Sequence, residues 1–143
     1  MDKDMTRSGS TRVVITGMGM VSPLGRGTAL CWQRLLAGAS GLSRLSADVA
    51  PDVAGQVVGQ VPSVAQDPEG GWDIDAVAPA KELRKMDRFI PLALDACGQA
   101  LAQAGWPPQD ERARERTGCI IASGIGGFGA IEQAVRTTDS RGA

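Results

Sequence analysis

Arg12-Val13-Val14-Ile15-Thr16-Gly17-Met18-Gly19-Met20-Val21-Ser22-Pro23-Leu24-Gly25 is the stretch around which the rest of the chain is organised. A β-branched run ends in a Gly-x-Gly turn, and Ser22-Pro23 interrupts the chain before any helix begins. Four consecutive β-formers bounded by glycine predict a strand over 12–17, apolar on both faces and therefore buried. The purpose of the turn separates a nucleotide-binding module from some other α/β protein.

The chain has 143 residues, the size of one domain, and balances 15 basic against 16 acidic side chains. That balance leaves no electrostatic footprint for nucleic acid or an anionic membrane surface. Aromatic residues are 3% with no tyrosine, against 19 glycines, which favours closely packed α/β elements over an aromatic-rich sandwich. No apolar run approaches the ~20 residues of a membrane helix, and residues 1–10 have no apolar signal core. The expectation is a soluble, cytoplasmic protein with a disordered, polar segment over 1–11.

Cys31, Cys97 and Cys119 are far apart and odd in number, which argues against a disulfide framework. Apolar neighbours predict each to be a buried thiol packing as a small hydrophobe. There is no histidine. Its absence removes Cys-His and Ser-His-Asp catalysis and most catalytic zinc sites from this stretch of chain; no cofactor or metal is expected.

Helical spacing predicts a helix over 29–37, with Thr28 as N-cap, an apolar stripe of Ala29, Trp32, Leu35 and Leu36, and Gly38 closing it. Residues 39–52 read as loop, and 53–61 as a short strand stopped by Pro62. Residues 62–80 are an irregular excursion, either a linker or a long loop within one domain. A separate turn over 81–86 precedes the strongest helical signal, in which Ile90, Leu94, Cys97 and Leu101 recur and alanines permit close approach. Pro91 confines the start of that helix to about Asp87, the candidate N-cap. Gly105 and Pro107-Pro108 close it. A solvated charge run over 110–116 leads to a second buried strand at Cys119-Ile120-Ile121-Ala122-Ser123, the turn Gly124-Ile125-Gly126-Gly127-Phe128-Gly129, and a helix over 130–136. Alternating strands and helices predict an α/β fold with parallel strands.

Two glycine turns invite a phosphate-binding reading. In the first, Ser22 stands where a third glycine is required, and the helix starts too late to point its N-terminus at a pyrophosphate. The second, Gly124-x-Gly126-x-x-Gly129, follows a strand and precedes a helix, but the acidic residue that completes such a site on a following strand is missing. A nucleotide-binding module using Gly124 to Gly129 stays open as one alternative. Glycines that let the backbone turn and let other segments approach are the other.

Four blocks in order resemble the β-ketoacyl-acyl-carrier-protein synthases. They are Arg12 to Gly25, Trp32-x-x-Leu35-Leu36-Ala37-Gly38-x-Ser40-Gly41, Lys85-Met86-Asp87-Arg88-Phe89-Ile90 and Ile121-Ala122-Ser123-Gly124-Ile125-Gly126-Gly127-Phe128-Gly129. Met20-Val21-Ser22-Pro23 is closer to the type II elongating form than to type I. The resemblance implies the N-terminal part of a thiolase-like fold (βαβαβα, mainly parallel, within an α-β-α-β-α layered sandwich) and a homodimer. It implies decarboxylative Claisen condensation of an acyl thioester with malonyl-carrier protein in fatty acid elongation, with acyl carrier protein as partner. A polyketide ketosynthase or its catalytically silent chain-length partner is the alternative within the superfamily. The family's nucleophilic cysteine sits in a Thr-Ala-Cys-like motif that none of the three cysteines matches. Residues 12–143 are accordingly expected to be a partial domain, truncated before the nucleophile, inactive alone and poorly stable with unpaired strand edges. One role carries over by position: Ile125 matches a residue lining the acyl-chain pocket. The resemblance also places Phe128 and the helix after it toward the dimer interface.

Overall fold

The computed structural model describes residues 12–53, 55–106 and 110–142; the expectations for 1–11 and for Pro107-Pro108 lie outside them. Its elements run β1 (Val21–Ser22), β2 (Gly25–Arg26), α1 (Thr28–Leu36), β3 (Leu42–Arg44), β4 (Val57–Gly59), α2 (Ala80–Leu83), α3 (Phe89–Gln103), α4 (Glu111–Glu115) and α5 (Phe128–Arg141), with a single 3-10 turn at Pro51–Val53. The protein is α/β with short strands.

The opening stretch folds as a hairpin. Pro23-Leu24 forms the two-residue tip between antiparallel β1 and β2, with Val21 opposite Arg26 and Ser22 opposite Gly25. Ser22 Oγ accepts from the Leu24 amide at 3.1 Å, and Gly25 takes φ +115°, a value glycine adopts without steric cost. Gly27 is the N-cap of α1 in place of the expected Thr28, which is already helical. The C-terminal ends of α1 and α3 close as foreseen. Gly38 and Gly105 take φ +73° and +68°, and each donates to the carbonyl three residues back while the next amide reaches five back: Ala39 to Arg34 at 2.9 Å and Trp106 to Leu101 at 2.9 Å.

Several expectations are corrected. Residues 12–17 and 119–123 form no strand, and Val13 and Ile120 are 92% and 97% exposed. A buried strand needs a neighbouring backbone to satisfy its amides and carbonyls, and among the described residues neither run has one. Among the described residues the two ladders are antiparallel, β1 with β2 and β3 with β4, and the one parallel pairing is a lone bridge between Ser63 and Trp72, so the expected parallel alternation is not built here. Local hairpins need only a short turn, whereas a parallel pair needs a crossover onto an existing sheet. Residues 42–44, read as loop, are strand β3, because Val57–Gly59 supplies a partner in register with Leu42 opposite Gly59. Trp32, Leu35 and Leu36 are exposed, and Cys31 is the buried residue of α1. Cys97 is half-buried and Cys119 exposed, against the expectation of burial. The last helix is longer than predicted, reaching Arg141.

The separate turn before α3 is α2, and Pro91 sits in the first turn of α3, where a missing amide costs nothing. Asp87 lies one residue before the N-cap Arg88 and accepts from the Ile90 amide through its carbonyl at 2.9 Å. The excursion at 62–72 is ordered by the Trp72 amide donating to Pro62 and by the Asp67 carboxylate accepting from Gly70 at 3.1 Å. Gly25, Cys31, Gly70, Trp72, Pro91 and Asp95 are the buried residues among those described. The core therefore sits where the β2 hairpin, α1, the 70–72 turn and α3 meet.

Candidate functional site

Three places concentrate side chains that chemistry or binding would use. The first is the turn bearing Ile125. Ser123 Oγ accepts from the Gly126 amide at 3.0 Å, Gly126 turns at φ +83°, and Gly127 caps α5. The Asp87 carboxylate packs over Gly127 so closely that a Cβ there would overlap it. Ile125 itself is 67% exposed. A negative carboxylate beside the start of α5 repels a phosphate there. That geometry disfavours the nucleotide alternative for Gly124 to Gly129.

The second is an apolar groove of about 290 Å³ lined by Met18, Met20, Leu24, Cys31, Trp32 and Leu35. It lies between the opening stretch and α1. Its floor is pinned by Cys31, whose Sγ donates to the Gly25 carbonyl at 3.2 Å. A thiol held this way against a backbone oxygen, 2% exposed, is packed as a core group. The opening stretch is held to α3 by its own amides: Met18 N–H donates to Gln103 Oε1 at 2.6 Å and Met20 N–H to Gln99 Oε1 at 3.2 Å. Gly17 and Gly19 make this contact sterically feasible, since a Cβ at either would run into the Ala100 or Ala96 carbonyl of α3. The Gly-x-Gly turn thus serves backbone packing, and a pyrophosphate has no room there.

The third is a polar pair across the core. Arg26 on β2 donates from Nε and Nη2 to both oxygens of Asp95 on α3, each at 2.7 Å. Burial opposes ionisation of Asp95, but the Arg26 hydrogen bonds and charge outweigh it and hold the carboxyl below the usual carboxylate range. Gln99 and Trp72 add smaller contributions of the same sign, from nitrogens short of full hydrogen-bond geometry. A parallel clamp joins α1 to the excursion. Arg34 contacts Asp67 through both carboxylate oxygens and also reaches the Leu24 carbonyl at 3.0 Å. The Arg34 hydrogen bond, then the Gly70 amide, lower the Asp67 carboxyl to about 2. Both pairs are bidentate and internal to the fold, which marks them as fasteners.

Among the described residues, no group of three or more His, Cys, Asp or Glu side chains could hold a metal ion. No helix there is long and apolar enough to cross a membrane.

The family model for the beta-ketoacyl synthase N-terminal domain matches residues 10–143. The chain belongs to the beta-ketoacyl synthase family. It is similar to the 3-oxoacyl-[acyl-carrier-protein] synthase 2 of Rhizobium meliloti (strain 1021), 40% identical over 131 residues that cover 92% of this chain and 31% of the relative. The protein of the same name in Vibrio cholerae is 38% identical over 121 residues, 85% of this chain and 27% of the relative. A mitochondrial 3-oxoacyl-[acyl-carrier-protein] synthase of Arabidopsis thaliana is 34% identical over 139 residues, covering 87% and 29%. The chain thus spans about three-tenths of the length of these curated relatives.

Within a beta-ketoacyl synthase segment the four sequence blocks acquire distinct places. The first two line the apolar groove, and the last two meet where Asp87 covers Gly127. From the sequence, Asp87 reads as a helix cap within the Lys85–Ile90 block. Nothing local in Met86-Asp87-Arg88 reports a partner 40 positions away, and only the matching small residue at 127 hints at it. Arg26 and Asp95 were missed for the same reason, being separated by 69 residues.

Proposed function

We propose that this segment forms part of a 3-oxoacyl-[acyl-carrier-protein] synthase that elongates fatty acyl chains. The supporting observation is the continuous family match over 10–143, together with relatives whose names state that activity. In that reaction an acyl group moves from its carrier to a cysteine as a thioester. A malonyl thioester loses CO₂, and the resulting enolate attacks the acyl carbonyl, forming the carbon–carbon bond and releasing the thiolate. The partners on this reading are the acyl and malonyl forms of an acyl carrier protein. The thiolase-like layered sandwich, a homodimer and a cytoplasmic setting belong to the same proposal. The exposed β-branched runs at 13–15 and 120–121 suit strands of such a sheet, to be buried by further strands.

This stretch contributes scaffold and acyl-pocket wall rather than the reacting groups. Cys31 is locked to the Gly25 carbonyl, and no histidine is present to assist decarboxylation. Ile125 is the residue proposed to line the acyl pocket, its exposed side chain available to a wall formed with other parts of the enzyme. Incubating the full-length protein with acyl- and malonyl-carrier protein is expected to give the 3-oxoacyl product by mass spectrometry, whereas residues 1–143 alone give none. Turnover by residues 1–143 contradicts the assignment of scaffold. Ile125→Phe is expected to shorten the longest chain accepted, and an unchanged chain-length preference contradicts the pocket role.

A further inference from the structure

We infer that Asp87 is a positioning residue that fixes the Ile125 turn against the start of α3. The inference rests on the acyl-pocket role proposed for Ile125. Two observations carry it. The Asp87 carboxylate fills the space over Gly127 in which any side chain at 127 would have to stand. Gly127 is at once the N-cap of α5 and the second residue after Ile125. The contact therefore links the α2–α3 connection to the turn. Around it, Gly124 and Gly129 have nothing within 4 Å of a built Cβ, so the rest of the turn gains no comparable support from packing. Gly126 adopts φ +83°, a value glycine reaches without steric cost, and the Ser123 hydroxyl accepting from its amide at 3.0 Å holds the turn from within, so that Asp87 adds the contact from outside it. The carboxylate also lies at the positive end of the α5 dipole, where a negative charge is favoured. Gly127 has φ −84°, so what a side chain there would meet is the Asp87 carboxylate and not a backbone conformation closed to it.

A wall residue discriminates chain length only if its position is defined, and a methylene misfit in an apolar pocket changes specificity about tenfold or more. Loosening the tether should flatten that discrimination. The test uses the full-length protein and reads kcat/KM for a series of acyl-thioester chain lengths, split into kcat and KM, beside hydrogen exchange of the amides at 124–127. Asp87→Ala and Gly127→Ala are each expected to reduce the longest-to-shortest discrimination about tenfold and to speed exchange at 124–127. Asp87→Asn, which keeps the shape, restores the discrimination to within about twofold. The double variant Asp87→Ala/Gly127→Ala is less impaired than Gly127→Ala alone, because the new methyl then has space. Unchanged discrimination in Asp87→Ala, where Ile125→Phe does alter it, overturns the inference. Where Ile125→Phe is silent the pocket reading fails, and exchange judges the tether: faster exchange in Asp87→Ala upholds the contact, and unchanged exchange overturns it.

Discussion

Two glycine turns of nearly the same sequence pattern stand at opposite ends of this chain, and the fold uses them in opposite ways. Gly17 and Gly19 are wedged against the backbone of α3, with carbonyls of Ala100 and Ala96 where side chains would be. Gly124 and Gly129 face open space, and only Gly127 has a neighbour, the Asp87 carboxylate. A Gly-x-Gly pattern alone does not distinguish a turn that must be small from one that must be bendable. What distinguishes them is the element that arrives from elsewhere in the chain.

The largest expected effect sharpens that contrast at its close-packed end. Gly19→Ala sets a methyl into the Ala96 carbonyl and should separate the opening stretch from α3, costing about 1–3 kcal/mol in chemical denaturation of the full-length protein. A variant as stable as the parent breaks the comparison. Next is Arg26→Ala, which leaves the buried Asp95 carboxylate without its cation. The expected loss is also about 1–3 kcal/mol, toward the lower end because Arg26 is half exposed. Acid tests the same fasteners without mutation. Asp95 and Asp67 both titrate below their ordinary values, Asp67 at about 2. The unfolded chain therefore takes up protons first, and their contribution, complete above about pH 4, is lost as pH falls toward 2. Unfolding midpoints followed through that window should decline, and the decline should be smaller in Asp67→Asn. The smallest effect is expected at the open turn. Gly124→Ala and Gly129→Ala should change stability by less than about 0.5 kcal/mol; a loss matching Gly19→Ala removes the distinction.

Local signals carried most of the helical architecture. The apolar spacing of Ile90, Leu94, Cys97 and Leu101, the early Pro91 and the closing Gly105 delimit α3 to within two residues. Gly38 ends α1 as its position implies. Strands fared differently because their formation depends on a partner. The β-branched run at 13–15 stays unpaired and exposed, while Leu42-Ser43-Arg44, with far weaker β character, pairs because Val57–Gly59 lies alongside. The same dependence hid the candidate site. Ile125 could be placed by its motif, but Asp87 and Gly127 meet across 40 positions and Arg26 meets Asp95 across 69.

The sequence by itself determined the family, the glycine-closed C-terminal ends of α1 and α3 and the absence of histidine chemistry from this stretch, since motif order, closing glycines and composition are properties of the chain alone. Only the tertiary structure decided what the opening glycines are for. Their purpose is set by the carbonyls of α3, some 80 residues away, and steric exclusion acts only between groups that the fold has brought into contact.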